Sequence, residues 1–141
     1  MIFRAGNTTI DFQDGKILTE SEVYCFIQRT HCSIGGNDDF VDGNLGKRIE
    51  KYDRYICKEI PLFKLNYGDY LLDDDKIMEY TDLRTPIPPI LLDNHNNVED
   101  GNHRCKAAEW NYDTSEEDVD IPMMRCFVPY SYRGKILAKW R

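Results

Sequence analysis

The sequence predicts an α+β fold, with strands and short helices interleaved over residues 58–129 behind a mainly helical extension over residues 1–57. Three observations carry this prediction. Apolar residues recur at helical spacing behind a Thr19–Glu22 capping pattern. Short apolar runs marked by proline, Ile60–Leu65, Ile90–Leu92 and Ile121–Val128, read as strands. Between those runs, Asp73-Asp74-Asp75 and Asp100-Gly101-Asn102 supply helix-start signals. A chain of 141 residues can bury such a core as one domain.

Taken in order, Ile2-Phe3 and Thr8 to Phe12 suit a small hairpin around Asn7 or the Asp14-Gly15 turn. The helix after Thr19 has Val23, Phe26, Ile27 and Thr30 on one face. Gly35-Gly36-Asn37-Asp38-Asp39 is a loop by composition. Leu45, Ile49, Tyr52 and Ile56 predict a second amphipathic helix, with Lys47, Arg48, Lys51 and Arg54 on its other sides. Ile60–Leu65 follows as a strand, with Pro61 near its start, where a missing N–H is tolerated. The three aspartates at 73–75 favour the positive end of a helix that runs to about Leu83. Thr85-Pro86-Ile87-Pro88-Pro89 leads rigidly into the Ile90–Leu92 strand, a polar turn at Asp93–Asn97 follows, and Val98-Glu99 returns as a short strand. The Asp100 loop opens a helix to Trp110 with Asn111 as its C-cap, and an acidic connection at Glu116–Asp120 leads to the last strand. Asp-Gly-Asn occurs both at 42–44 and at 100–102, the same turn chemistry used twice before a helix.

The formal charge of −7 argues against a broad nucleic-acid-binding face, which needs clustered Lys and Arg. The basic residues near the end (Arg125, Arg133, Lys135, Lys139 and Arg141) read as solvated charge. No apolar run approaches a membrane span or a signal peptide, so a cytoplasmic location with no membrane partner is expected. Five cysteines, an odd number without a Cys-x-x-Cys, suit free thiols in a reducing compartment. His31-Cys32, His95 and His103-x-Cys105 lack the regular spacing of metal ligands.

Val98 to Trp110 carries the functional reading. A strand enters a turn of Asp, Gly and Asn, and a helix begins with His103 and Arg104. Gly101 lets a ligand approach the backbone, and the first N–H groups of the helix, with its dipole, favour an anion. Arg104 adds charged donors, and His103 a donor, acceptor or proton carrier. The bland alternative is that Asn102 only caps a helix and the two cations are exposed first-turn residues.

The element order and the motif Asp100-Gly101-Asn102-His103-Arg104-x-x-Ala107-Ala108 resemble the ParB/sulfiredoxin superfamily over roughly half of the chain. The resemblance implies a small mixed sheet with short helices and a loop that holds the phosphates of ATP or CTP. It makes Gly101, Asn102, His103 and Arg104, with Lys76 on the preceding helix, the phosphate-binding residues. His103, Asp100 and Glu59 are then the candidate catalytic groups, and Asp100 and Glu99 the candidate ligands of Mg²⁺. Asn102 stands where sulfiredoxin has its cysteine, so that chemistry is lost, and Cys105 lies a turn too late to replace it. Asn66-Tyr67 stands where sulfiredoxin has a ligand-binding arginine, and no helix-turn-helix is expected after Val128. The expected function is an NTP-dependent phosphotransferase or hydrolase. The alternatives are a ParB-like nuclease acting on DNA or RNA, and a non-catalytic accessory protein of a phage or mobile element that binds a protein partner through residues 1–57.

Overall fold

Strands come first. Ile2–Ala5 (β1) and Thr8–Asp11 (β2) pair antiparallel about Gly6-Asn7, with Phe3 opposite Ile10. The N-terminus therefore begins with strands and is not a helical extension. The computed structural model describes residues 1–33, 44–68, 72–81 and 86–141. The Gly35–Asp39 loop, Asp42-Gly43, the helix end near Leu83 and Thr85 lie outside the described residues.

Among the described residues the architecture is α+β, with four α-helices: Glu20–Ser33 (α1), Leu45–Glu50 (α2), Asp74–Thr81 (α3) and Asn102–Asp113 (α4). Ile17–Thr19 (β3), Arg54–Pro61 (β4), Ile90–Leu92 (β5), Val98–Asp100 (β6), Met123–Tyr132 (β7) and Lys135–Ile136 (β8) form a mixed sheet. Its order is β3-β4-β7-β5-β6, with β8 paired to β7. No described helix is long and apolar enough to cross a membrane. Two compact units are present, residues 1–58 with 127–141, and residues 59–126.

In the first unit the capping box forms as the sequence predicts. Thr19 Oγ1 accepts from Glu22 N–H at 3.2 Å, and Glu22 Oε1 accepts from Thr19 N–H at 3.1 Å. Val23, Phe26 and Ile27 are buried, and the rings of Phe3, Phe12, Phe26 and Phe127 meet in a chain of edge-on and tilted contacts. The predicted second helix is corrected: α2 stops at Glu50, and Ile56 lies on β4, opposite Ile17. The helical spacing of Tyr52 and Ile56 misled because tertiary partners end the helix there. The Ile49 carbonyl accepts from the buried Tyr55 hydroxyl at 2.7 Å, and Asp53 N–H donates to the Ser131 carbonyl. The strand predicted at Ile60–Leu65 is likewise earlier, and Leu62–Lys64 makes a 3-10 turn. β7 runs through Pro129 because its end is held by β8 across a two-residue turn. Arg133 and Gly134 in that turn both have positive φ, 48° and 78°, the signature of a type I′ hairpin.

In the second unit β5 is buried along its whole length, and Leu62, Leu65, Ile77, Ala107 and Met124 join the core. The Asp93 carboxylate organises the β5–β6 turn, accepting from the backbone N–H groups of His95 and Asn97 and from Asn97 Nδ2 at 2.8–2.9 Å. Burial pushes this carboxyl up, but those hydrogen bonds outweigh it and hold it below the usual range.

The Asp53 carboxylate clasps the β7–β8 hairpin through the Ser131 hydroxyl and the Gly134 N–H. The Ser131 hydrogen bond, with help from Gly134, holds its pKa below the usual carboxylate value. The ionised group therefore contributes its full stability above about pH 4. That contribution is lost as pH falls through the lowered native value. Asp53→Ala is expected to cost about 1–2 kcal/mol at pH 7. Urea unfolding at stepped pH should show the gap between wild type and variant narrowing as pH falls below about 4.

Candidate functional site

The strand–turn–helix at residues 98–113 has the predicted layout, but its side chains point elsewhere than the sequence suggests. β6 pairs with β5 through Leu91–Asp100 and Leu92–Val98, a register shift that leaves half-buried Glu99 between the two pairs. Gly101 then adopts φ 116°, and α4 follows. A Cβ on Gly101 would overlap Ile90 Cγ2 and come within 2.8 Å of Ile90 Cβ. Glycine is required here by the positive φ and by the fully buried Ile90, so the space its missing side chain leaves is already filled.

Arg104 turns inward and is only 4% exposed. Its Nη1 donates to the carbonyls of Pro88 and Pro89 at 3.3 and 2.6 Å, and its Nη2 to Asp100 Oδ2 at 2.8 Å. Asp100 is nearly as buried as its partner, so the pair is shielded from water and from salt. The expected charged phosphate donor is thus a tie between the start of α4, the end of β6 and the prolines leading into β5.

Asn102 and His103 reach across to another segment. Asn102 Oδ1 accepts from Gly68 N–H, and His103 Nε2 accepts from Asp73 N–H, both at 3.0 Å. A ring nitrogen that accepts a hydrogen bond carries no proton, so His103 is neutral in this arrangement, with its proton on Nδ1. Asp73 is also the cap of α3, since its Oδ1 accepts from Asp75 N–H at 2.9 Å. His103 thereby places the starts of α3 and α4 side by side. One helical face further along, Tyr67 donates to Glu109 Oε2 at 2.7 Å, and Lys106 pairs with Glu109 Oε1 at 3.2 Å. The Tyr67 hydrogen bond lowers the pKa of Glu109 below the usual carboxylate range, while burial and then Glu109 push that of Tyr67 up. The sequence reading missed this cluster, although Asn102, Lys106 and Glu109 share one stripe of α4.

The other candidates are dispersed. Lys76 is exposed on α3, the helix that packs on α4. Glu59 lies on β4 and pairs at 3.8 Å with Arg125 of β7. Cys105 is buried, which pushes its thiol up to about 12 and leaves it un-ionised at neutral pH. No group of three or more His, Cys, Asp or Glu placed to hold a metal occurs among the described residues. Asp100 meets a guanidinium where the sequence reading expected a cation site.

What the loop offers an anion is its main chain. α4, like the six-residue α2, carries no acidic residue in its first turn and no side-chain cap, whereas α1 and α3 are capped by Thr19 and Asp73 and carry acids in their first turns. A phosphate fits that helix start through backbone N–H groups; a Mg²⁺ ion held by Asp100 and Glu99 does not fit the observed Arg104–Asp100 pair. No family model, no curated protein and no solved structure matches the chain.

Arg104→Ala is expected to cost about 3–5 kcal/mol, because it removes the buried counter-charge of Asp100 and the donor to two proline carbonyls. Arg104→Lys should recover little of that loss, since an ammonium lacks the fork. Gly101→Ala should cost at least about 2 kcal/mol from backbone strain and overlap with Ile90. Urea unfolding followed by circular dichroism checks all three.

Proposed function

We propose that this chain is a nucleotide-binding protein of ParB/sulfiredoxin-like design, whose α4 start receives the phosphates of ATP or CTP. The observation that carries the reading is the bare start of α4, set directly after a glycine turn at the end of a strand. α4 lacks the acidic first turn and side-chain cap that α1 and α3 possess. Its dipole and main-chain donors favour an anion there. Lys76, on the adjoining α3, supplies a cation that can reach the distal phosphates, and Mg²⁺ arrives with the nucleotide.

The reading favours binding over turnover. Arg104 and Asp100 neutralise each other, so neither is poised to stabilise a transferring phosphoryl group or to accept a proton. His103, with Nε2 committed to Asp73, serves to shape the loop. Phosphoryl transfer through Asp100, His103 and Glu59 would require this arrangement to be rebuilt on binding.

The test uses Asn102→Asp, which keeps the acceptor for Gly68 but adds a negative charge to the first turn of α4. Stability should hold or rise by roughly 0.3–1 kcal/mol. Affinity for Mg²⁺-ATP or Mg²⁺-CTP, measured by calorimetry, should fall about tenfold, a loss of about 1.4 kcal/mol. Unchanged affinity in the variant, or no binding by folded wild type, overturns the phosphate site. Nucleotide hydrolysis that disappears in Asp100→Asn would restore the catalytic reading.

A further inference from the structure

The whole-chain charge conceals an uneven division. Residues 1–58 with 127–141 hold twelve Lys and Arg against nine Asp and Glu, whereas residues 59–126 hold six against sixteen. The first unit is therefore +3 and the second −10, and such asymmetry within one chain points to an anionic partner for the basic part. The last fifteen residues, 127–141, contain four cations and no acid.

In this unit the cations alternate with aromatic rings. Tyr130 and Tyr132, two residues apart on β7, share one face at a spacing of about 6–7 Å, while Ser131 between them turns inward and is buried. Lys135 of β8 stands opposite Tyr132 on that same face. The Tyr132 ring meets Tyr52 edge-on at 6.4 Å. The Arg133 guanidinium lies 5.0 Å from the Tyr132 centroid, and the Lys51 ammonium 5.7 Å from that of Tyr52. Tyr130 leans against Trp140 at 6.3 Å, and the indole, anchored through Nε1 to the Pro129 carbonyl, lies beneath Lys58 and Lys139. Solvated charge at a chain end needs no ring beneath each cation. Tyr132, Lys51, Arg133 and Lys135 are all exposed, and these three cations form no ion pair among the described residues.

We propose that this end of β7, with β8 and the chain terminus, binds single-stranded nucleic acid. Bases stack on Tyr132, Tyr130 and Trp140, and phosphates sit on Lys51, Arg133 and Lys135. Lys58 is assigned no phosphate, because it already pairs with Asp14 at 3.6 Å. A duplex hides its base faces and needs a broader basic surface than three cations supply. An acidic peptide would use the cations and leave the rings bare. The site belongs to a different unit from the start of α4, so either assignment can fail without the other.

Trp140 is a built-in reporter, since the chain has one other tryptophan, Trp110. Trp110→Phe protein should be titrated with oligo(dT) of about twelve nucleotides, a length within the span of single-strand sites, while Trp140 fluorescence is followed. Saturable quenching is expected. Three phosphate contacts set a log–log salt slope of about −2, or roughly twentyfold weaker binding at 200 mM than at 50 mM salt. Tyr132→Ala should weaken binding at least about fivefold through lost stacking. Lys135→Gln should flatten the slope by about 0.7. Asn102→Asp, which alters only the start of α4, should change neither. No saturable quenching in folded Trp110→Phe protein overturns the proposal, as does an unchanged affinity in Tyr132→Ala or an unchanged slope in Lys135→Gln. Loss of binding in Asn102→Asp overturns it by moving the oligomer to α4. Equal competition by an abasic oligomer or a duplex overturns the stacking of single-stranded bases, and equal competition by polyglutamate marks an acidic protein partner instead.

Discussion

Arg104 donates to two successive proline carbonyls and to a carboxylate four residues behind it, all in a buried setting. Prolines 88 and 89 have no N–H of their own, so the chain entering β5 has acceptors to satisfy and no amide donors at those two positions. The guanidinium supplies the donors and brings its counter-charge with it in Asp100. Around this contact the unit 59–126 takes its form: the prolines lead into β5, β6 ends at Asp100, Gly101 is pressed onto Ile90, and α4 begins at Asn102. Such a pair adds modest net stability over an apolar replacement, because both charges lose their water. Its larger effect is specificity, since few other arrangements satisfy the same three acceptors.

The unit formed by 1–58 and 127–141 relies on different forces. Its interior is an aromatic chain from Phe3 to Phe26 by way of Phe12 and Phe127, an arrangement stabilised by area and by edge-to-face contact. Polar satisfaction sits at the corners. Asp53 holds a hairpin, Tyr55 closes the end of α2, and the Trp140 indole donates to the Pro129 carbonyl. Cys57, buried in this unit, has its thiol pushed up to about 11 by loss of solvent and behaves as a small apolar side chain.

Much of the architecture was legible in residues whose partners lie close by in the chain. Thr19 and Glu22 are three apart and announced α1; Asp93 and Asn97 announced their turn; Pro88-Pro89-Ile90 announced a strand. Tyr52 and Ile56 misled because helical spacing over so few residues also suits a strand, and the contacts that decide between them, from Tyr55 and Ser131, are not local. The site followed the same division. Gly101 and the start of α4 were placed correctly, but an arginine beside a helix start reads equally as a phosphate ligand or as a structural tie. Only Pro88 and Pro89, folded against it, decide. Asn102 and His103 hold partners 34 and 30 residues away, a distance no local pattern reports.

For evolution, the arginine contact makes several positions interdependent. A mutation at Arg104 leaves Asp100 and the proline carbonyls worse off than before, and a side chain at residue 101 collides with Ile90. Drift at any one of these positions is therefore permitted only alongside compensating change at the others, whereas exposed stretches such as 113–121 can diverge independently. Kinship to this chain should accordingly survive longest as a spaced pattern, Pro-Pro-Ile followed by Asp-Gly-x-x-Arg, after resemblance elsewhere has eroded.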